Sequence, residues 1–141
     1  MFKTTVRVKG FFDDEPKTYT LYFNLSRREM WEFIKSYDNV TNFREMIETA
    51  QKNGDHLTLI EFIDNLLGSA YGERQGDKFV KDPIIRANFL DGPQYEEMFN
   101  RMIASKSFSQ SVIEGIMPQA ILDEVRKDPK YQAEFGTPAD D

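Results

Sequence analysis

A chain of 141 residues with 40% hydrophobic and 30% charged side chains is long enough to bury roughly 70% of its unfolded surface. That balance excludes a disordered chain and a peptide that needs a metal or disulfide to fold. Cysteine is absent, which removes disulfide scaffolds, thiolate metal sites and cysteine nucleophiles together. The net charge of -6, from 24 acidic and 18 basic residues, is interspersed in both signs. It offers neither the basic stripe that duplex binding needs nor the uncompensated carboxylates of a DNA mimic, so no nucleic-acid partner is expected.

The first residues, Met1 to Lys9, alternate charged and apolar side chains and contain no apolar h-region, so no secretory signal is expected. No apolar run approaches the ~20 residues of a membrane span, and no membrane partner is expected. Thr4, Val6 and Val8 alternate with Thr5, Arg7 and Lys9, the period of a half-buried strand. Asp13-Asp14-Glu15-Pro16 supplies turn chemistry, and Tyr19, Leu21 and Phe23 alternate on a return strand. The predicted hairpin over 3–23 must pack on helices, because a lone hairpin is marginal in water.

Ser26 and Glu29 have capping-box spacing. They open a helix whose Met30, Phe33, Ile34 and Tyr37 share one face, broadened by Trp31. A second helix is predicted from Val40 to Lys52, with Val40, Phe43, Ile47 and Ala50 inward and Asn53-Gly54 as its left-handed stop. Asp55 caps a third, whose apolar residues from Leu59 to Ala70 cover more than half the circumference, as expected of a central helix. Tyr71-Gly72 is read as its end, Glu73 to Asp77 as a loop, and Lys78 to Lys81 as a short strand. Asp82-Pro83 starts a short helix. Pro93 starts another, with Tyr95, Met98, Phe99, Met102 and Ile103 on one face. Ser107 or Ser109 is expected to cap a further helix carrying Val112, Ile113, Ile116 and Met117, interrupted by Pro118. Ile121, Leu122 and Val125 form a last amphipathic piece. The expected fold class is α+β, mostly α: one domain over 1–127, with the hairpin at 3–23 and roughly six short helices over 26–127. A polar, partly flexible tail follows over 128–141.

Catalytic vocabulary is sparse. His56, the only histidine, stands at a helix start without a second histidine to share a metal. Asp13, Asp14 and Glu15 lack the alternate spacing and sixth-position glycine of a calcium loop, so they read as a solvated turn. Gly72 and Gly76 flank Glu73-Arg74-Gln75 without the Lys-Ser or Lys-Thr pair of a phosphate loop, and Arg74, Lys78, Lys81 and Phe79 could at most contact an anionic partner. Ser107, Ser109 and Ser111 have no base and no nucleophile elbow. We therefore expect no catalytic residue, no metal site and no cofactor. Met98, Met102 and Met117, among Phe99, Ile103, Phe108, Ile113 and Ile116, read either as core or as a groove for a partner's apolar helix.

The ordered set Tyr71-Gly72-Glu73-Arg74, Lys78-Phe79-Val80-Lys81, Gln94-Tyr95-Glu96-Glu97-Met98-Phe99, Phe108 and Glu114-Gly115-Ile116-Met117-Pro118 resembles the tail assembly chaperones of long-tailed bacteriophages. The hairpin exit Leu21-Tyr22-Phe23-Asn24-Leu25-Ser26 is similar to that family's beginning. Glu114 stands where asparagine is common, and the turn at Gln75-Gly76-Asp77 is shorter than usual. The resemblance implies a non-enzymatic chaperone of the host bacterial cytoplasm, absent from the mature virion. It would bind the long, aggregation-prone tape measure protein and help recruit tail tube subunits, and self-association is compatible with it. The family-motif residues would be Tyr71, Gly72, Glu73, Arg74, Lys78, Phe79, Lys81, Gly115 and Pro118. The candidate partner surface would be Tyr95, Met98, Phe99, Met102, Ile103, Phe108, Ile113, Ile116 and Met117. The alternatives are a structural virion protein of the head–tail connector or tail terminator type, and a small hydrolase with a carboxylate-bound metal.

Overall fold

The computed structural model describes residues 1–37 and 40–135. Among these it has four strands, β1 (Phe2–Val8), β2 (Lys17–Phe23), β3 (Tyr71–Gln75) and β4 (Lys78–Val80). It also has eight helices, α1 (Arg27–Lys35), α2 (Val40–Asn53), α3 (His56–Ala70), α4 (Pro83–Leu90), α5 (Pro93–Ala104), α6 (Lys106–Ile116), α7 (Gln119–Lys127) and α8 (Pro129–Phe135). The α+β, mostly helical class is as expected. The chain divides into two compact units, one comprising Met1–Asn24 with Glu61–Ile116 and the other Leu25–Ile60 with Met117–Asp141.

The first unit is built on an antiparallel sheet in the order β1-β2-β3-β4. β1 and β2 pair along their full length, with Phe2 opposite Phe23 and Val8 opposite Lys17. Their alternation sorts the side chains as the sequence implies: Val6, Leu21 and Phe23 are buried while Thr5, Arg7 and Thr20 face water. α5 and α6 pack on β1, and α4 packs on β3 and α5. The second half of α3 contributes Phe62, Ile63, Leu66, Leu67 and Ala70, all buried.

The loop expected at Glu73 to Asp77 is a strand instead. α3 ends at Ala70, and Tyr71 passes directly into β3, where Tyr22 faces Gly72 and Phe23 faces Tyr71. β3 then pairs with β4, Gln75 opposite Lys78. The two-residue turn between them places Gly76 at φ 68°, a conformation two-residue hairpins demand and glycine takes freely. Gly72 is thus a strand residue rather than a helix stop. A short strand of Gly, Glu, Arg and Gln has no apolar alternation to reveal it, and tertiary pairing overrides its weak β-propensity.

In the second unit α1 packs on α7, and α7 on α8. The Ser26–Glu29 capping box forms at both ends, with Glu29 N to Ser26 Oγ at 3.1 Å and Ser26 N to Glu29 Oε1 at 2.9 Å. Gly54 ends α2 at φ 67°, and Asp55 caps α3 through Thr58 N at 3.1 Å. The side chains of Val40, Phe43 and His56, named above, lie outside what is described, as do residues 136–141. Part of the stretch expected as a polar tail from 128 is helical. Asp128 accepts from Lys130 N at 2.9 Å, Pro129 opens α8, and Tyr131 is buried edge-on against Trp31 with ring centroids 5.5 Å apart. The Asp-Pro pair that starts α4 through Asp82 also starts α8. In this polar stretch the buried Tyr131 helps to dock the helix, with Lys35 Nζ 3.4 Å from Glu134 Oε1.

Candidate partner-binding surface

Of the family-motif residues, Tyr71 lies in an aromatic cluster of the first unit. Tyr71 stacks on Phe89 with ring centroids 3.8 Å apart and planes 6° off parallel. Phe23 meets Tyr71 and Phe89 edge-on, each at 5.7 Å. Tyr95 meets Phe89 edge-on at 5.5 Å, and Phe99 follows at 5.9 Å from Tyr95. Offset and edge-to-face pairs of this kind add roughly 0.5–1.5 kcal/mol each beyond area burial. Burial, with Glu73 adding to it, pushes the Tyr71 hydroxyl up to about 12. The Tyr95 hydroxyl donates to the Asp64 carboxylate, whose pKa is raised by desolvation.

Gly72 is required by Phe79. A Cβ at Gly72 would lie 2.5 Å from Phe79 Cζ, so the ring of β4 rests directly on the backbone of β3. Lys81 does not present its charge to a partner here. Its Nζ donates to Asn24 O at 2.5 Å and to Ser69 O at 2.9 Å, joining the exit of β2 to the last turn of α3, whose carbonyls have no intrahelical partner. The backbone bond from Asn24 N to Ala70 O, 2.8 Å, sits beside it. Arg74 Nε turns back onto Gly76 O at 2.9 Å, while Glu73 and Lys78 are exposed. In α6, Gly115 makes room for the ring of Phe2. Pro118 caps α7, its carbonyl accepting from Ile121 N and Leu122 N, both at 3.0 Å. Most of this motif builds the fold.

The nine candidate partner residues separate into two groups. Met98, Met102, Ile116 and Met117 are buried and belong to the cores in this conformation. Tyr95, Phe99, Phe108 and Ile113 are half-buried, and Ile103 is 38% exposed. Tyr95, Phe99 and Ile103 recur every fourth residue and so form one stripe along α5, beside the buried stripe of Met98 and Met102. Next to it, Arg101 lies 4.1 Å from the Phe108 ring centroid and donates from Nη1 to Thr5 O at 3.2 Å. The cap of α6 is Ser105 rather than Ser107 or Ser109, with Phe108 N 3.2 Å from Ser105 Oγ. Ser109 is buried. Several hydroxyls stood within reach of that helix start, and spacing alone did not choose among them.

In the acidic turn, Asp13 is engaged within the hairpin. Asp13 Oδ2 accepts from Gly10 N at 3.0 Å and from the Tyr19 hydroxyl, and Oδ1 lies 3.0 Å from Lys17 Nζ. The Tyr19 hydroxyl first, and then Lys17, hold the Asp13 carboxyl below its usual range. Among the described residues no group of three or more His, Asp or Glu could hold a metal ion, and no helix is long and apolar enough to cross a membrane. Sequence reasoning missed Phe11 and Phe12 at the hairpin tip, 76% and 99% exposed. The signal was available, since two adjacent aromatics at a turn break the strand alternation and cannot both face inward.

Neither a curated protein nor a solved structure matches the chain significantly. A family model described as phage tail assembly chaperone matches residues 1–140. That match spans both compact units, and the chain belongs to this family of phage tail assembly chaperones.

Proposed function

We propose that the chain binds the tape measure protein, keeps it soluble in the host bacterial cytoplasm, and helps recruit tail tube subunits around it, without an enzymatic step and without remaining in the finished particle. The family match over 1–140 carries this reading. The accessible stripe of Tyr95, Phe99 and Ile103, with the half-buried Phe108 and Ile113, gives it a surface. An amphipathic helix laid on such a stripe would cover aromatic and aliphatic side chains, each contributing roughly 1.5–3 kcal/mol if fully exposed before binding and proportionally less here. An elongated helical client whose apolar faces are unpartnered before assembly has the matching chemistry.

Co-expression with the tape measure protein tests this. The expected result is that the client moves from the insoluble to the soluble fraction and co-purifies with the chain. Unchanged client solubility and no complex would overturn the reading. Many copies of the chain in purified particles would instead identify a structural virion protein of the connector or terminator type.

A further inference from the structure

The second unit carries a cavity of about 290 Å³, lined by Arg27, Arg28, Trp31, Val125, Asp128 and Lys130. α1 supplies Arg27, Arg28 and Trp31, α7 supplies Val125 and its C-cap Asp128, and α8 supplies Lys130. Trp31 and Val125 are buried and make the apolar floor. The Trp31 ring is held edge-on by Tyr131, with centroids 5.5 Å apart. Packing therefore fixes the floor before any ligand arrives.

The rim is cationic, with three cations against one carboxylate in the lining. That carboxylate is already engaged: Asp128 Oδ2 lies 3.6 Å from Arg27 Nε, and Oδ1 accepts from Lys130 N at 2.9 Å. Arg28 and Lys130 are exposed and form no ion pair among the described residues. A cavity of about 150 Å³ suffices for a benzene ring, so this one admits a phenyl group with room to spare. It takes one side chain rather than the face of a helix. A guanidinium beside a ring adds cation–π attraction, which favours an aromatic over an aliphatic side chain. On a chain of net charge -6, a local cationic rim attracts carboxylates that the rest of the surface repels.

We propose that the cavity binds an extended acidic segment of a partner protein, one aromatic side chain entering over Trp31 while carboxylates on either side of it meet Arg28 and Lys130. In an extended backbone, side chains two residues apart point to the same face, ~6.6 Å apart along the chain. The segment that fits therefore carries acidic residues two positions before and two positions after the aromatic. Arg28 and Lys130 stand on different helices, α1 and α8, so each meets one carboxylate. The ring supplies most of the affinity. The exposed rim charges are screened by salt and set the orientation. The inference goes beyond the binding of the tape measure protein along α5 and does not rest on it, because the cavity and the α5 stripe belong to different units.

Trp31 is the only tryptophan of the chain, so its fluorescence reads this cavity directly. The probe is a capped pentapeptide with phenylalanine at its centre, aspartate at each end and serine between. Titrating it into the purified chain should give a saturable change in Trp31 emission. Exchanging the peptide's phenylalanine for alanine should weaken binding by roughly 10- to 100-fold, as loss of one buried phenyl group implies. Exchanging both aspartates for asparagine should weaken it by about 3-fold or more, and so should the double variant Arg28→Glu, Lys130→Glu. High salt should erase the aspartate effect. The peptide exchanges leave the chain intact, so the test stands even where a variant misfolds, and far-UV circular dichroism verifies the double variant. Ile103→Asp should leave peptide binding unchanged, which separates failure here from failure of the α5 reading. No saturable change, binding indifferent to the phenylalanine, or binding unaffected by either charge exchange would overturn the proposal. Phenylacetate displacing the peptide at equal concentration would identify a small-molecule site and overturn it as well.

Discussion

Lys81→Met isolates the role of the most buried cation of the family motif. In the structure Lys81 Nζ bridges Asn24 O at 2.5 Å and Ser69 O at 2.9 Å. A hydrogen bond to a charged group contributes roughly 1.5–3 kcal/mol. Two of them on one ammonium do not add fully, and the side chain is only half-buried, so water replaces part of the loss. We expect the variant to lose about 2–3 kcal/mol, a large share of the roughly 5–15 kcal/mol by which such domains are stable. At ~2–4 °C per kcal/mol for a chain near this size, the melting temperature should fall by about 5–10 °C. Lys81→Arg should recover part of this, since a guanidinium can also donate to two carbonyls. Denaturant titration followed by circular dichroism is the assay. Unchanged stability in Lys81→Met, combined with weakened binding of a tail protein, would refute the structural role and return Lys81 to the anionic-partner reading.

Three further outcomes follow from the same geometry. Gly72→Ala should cost about 1–3 kcal/mol, because its Cβ would lie 2.5 Å from Phe79 Cζ and the ring must shift; Phe79→Ala in the same background should recover part of that loss in a double-mutant cycle. Tyr71, with its folded-state value pushed up to about 12 from an ordinary 10.0, contributes stability that is complete below pH 10 and is lost as pH rises through 12. Two units correspond to ~2.7 kcal/mol, discounted to about 1–1.5 kcal/mol for partial exposure, and Tyr71→Phe should remove this alkaline loss in a stability–pH series. Tyr131→Ala, by deleting the buried ring against Trp31, should cost roughly 3 kcal/mol and raise amide exchange across α8. No change there would show that α8 is not docked.

What the sequence revealed, it revealed through periodicity and caps. The β1–β2 hairpin was legible because Val6, Leu21 and Phe23 alternate with polar residues. α1 was legible from Ser26 and Glu29, α4 from Asp82-Pro83, and the end of α2 from Gly54. β3 was not, because Gly72-Glu73-Arg74 carries no apolar alternation and is held by β2 and β4 on either side. α8 was missed because a polar helix with one anchoring aromatic has almost no amphipathic signature. The candidate surface was half legible: an i, i+4 pattern puts Tyr95, Phe99, Met98 and Met102 on broadly one side of α5. Only the packing separates the buried methionine stripe from the accessible one, since periodicity fixes a face to within the width of a side chain and the neighbours decide where water stops. Lys81 and Gly72 were visible as motif residues, but their carbonyl and ring partners are 57 and 7 positions away along the chain, so their roles were not.

Calorimetric titration of the purified chain with a soluble helical segment of the tape measure protein tests the central claim most directly. The account predicts saturable binding with a negative heat-capacity change, the mark of buried apolar surface, weakened by Ile103→Asp at unchanged fold stability. No heat of binding at any segment tested, or binding indifferent to Ile103→Asp and to substitution of Phe99, would contradict it.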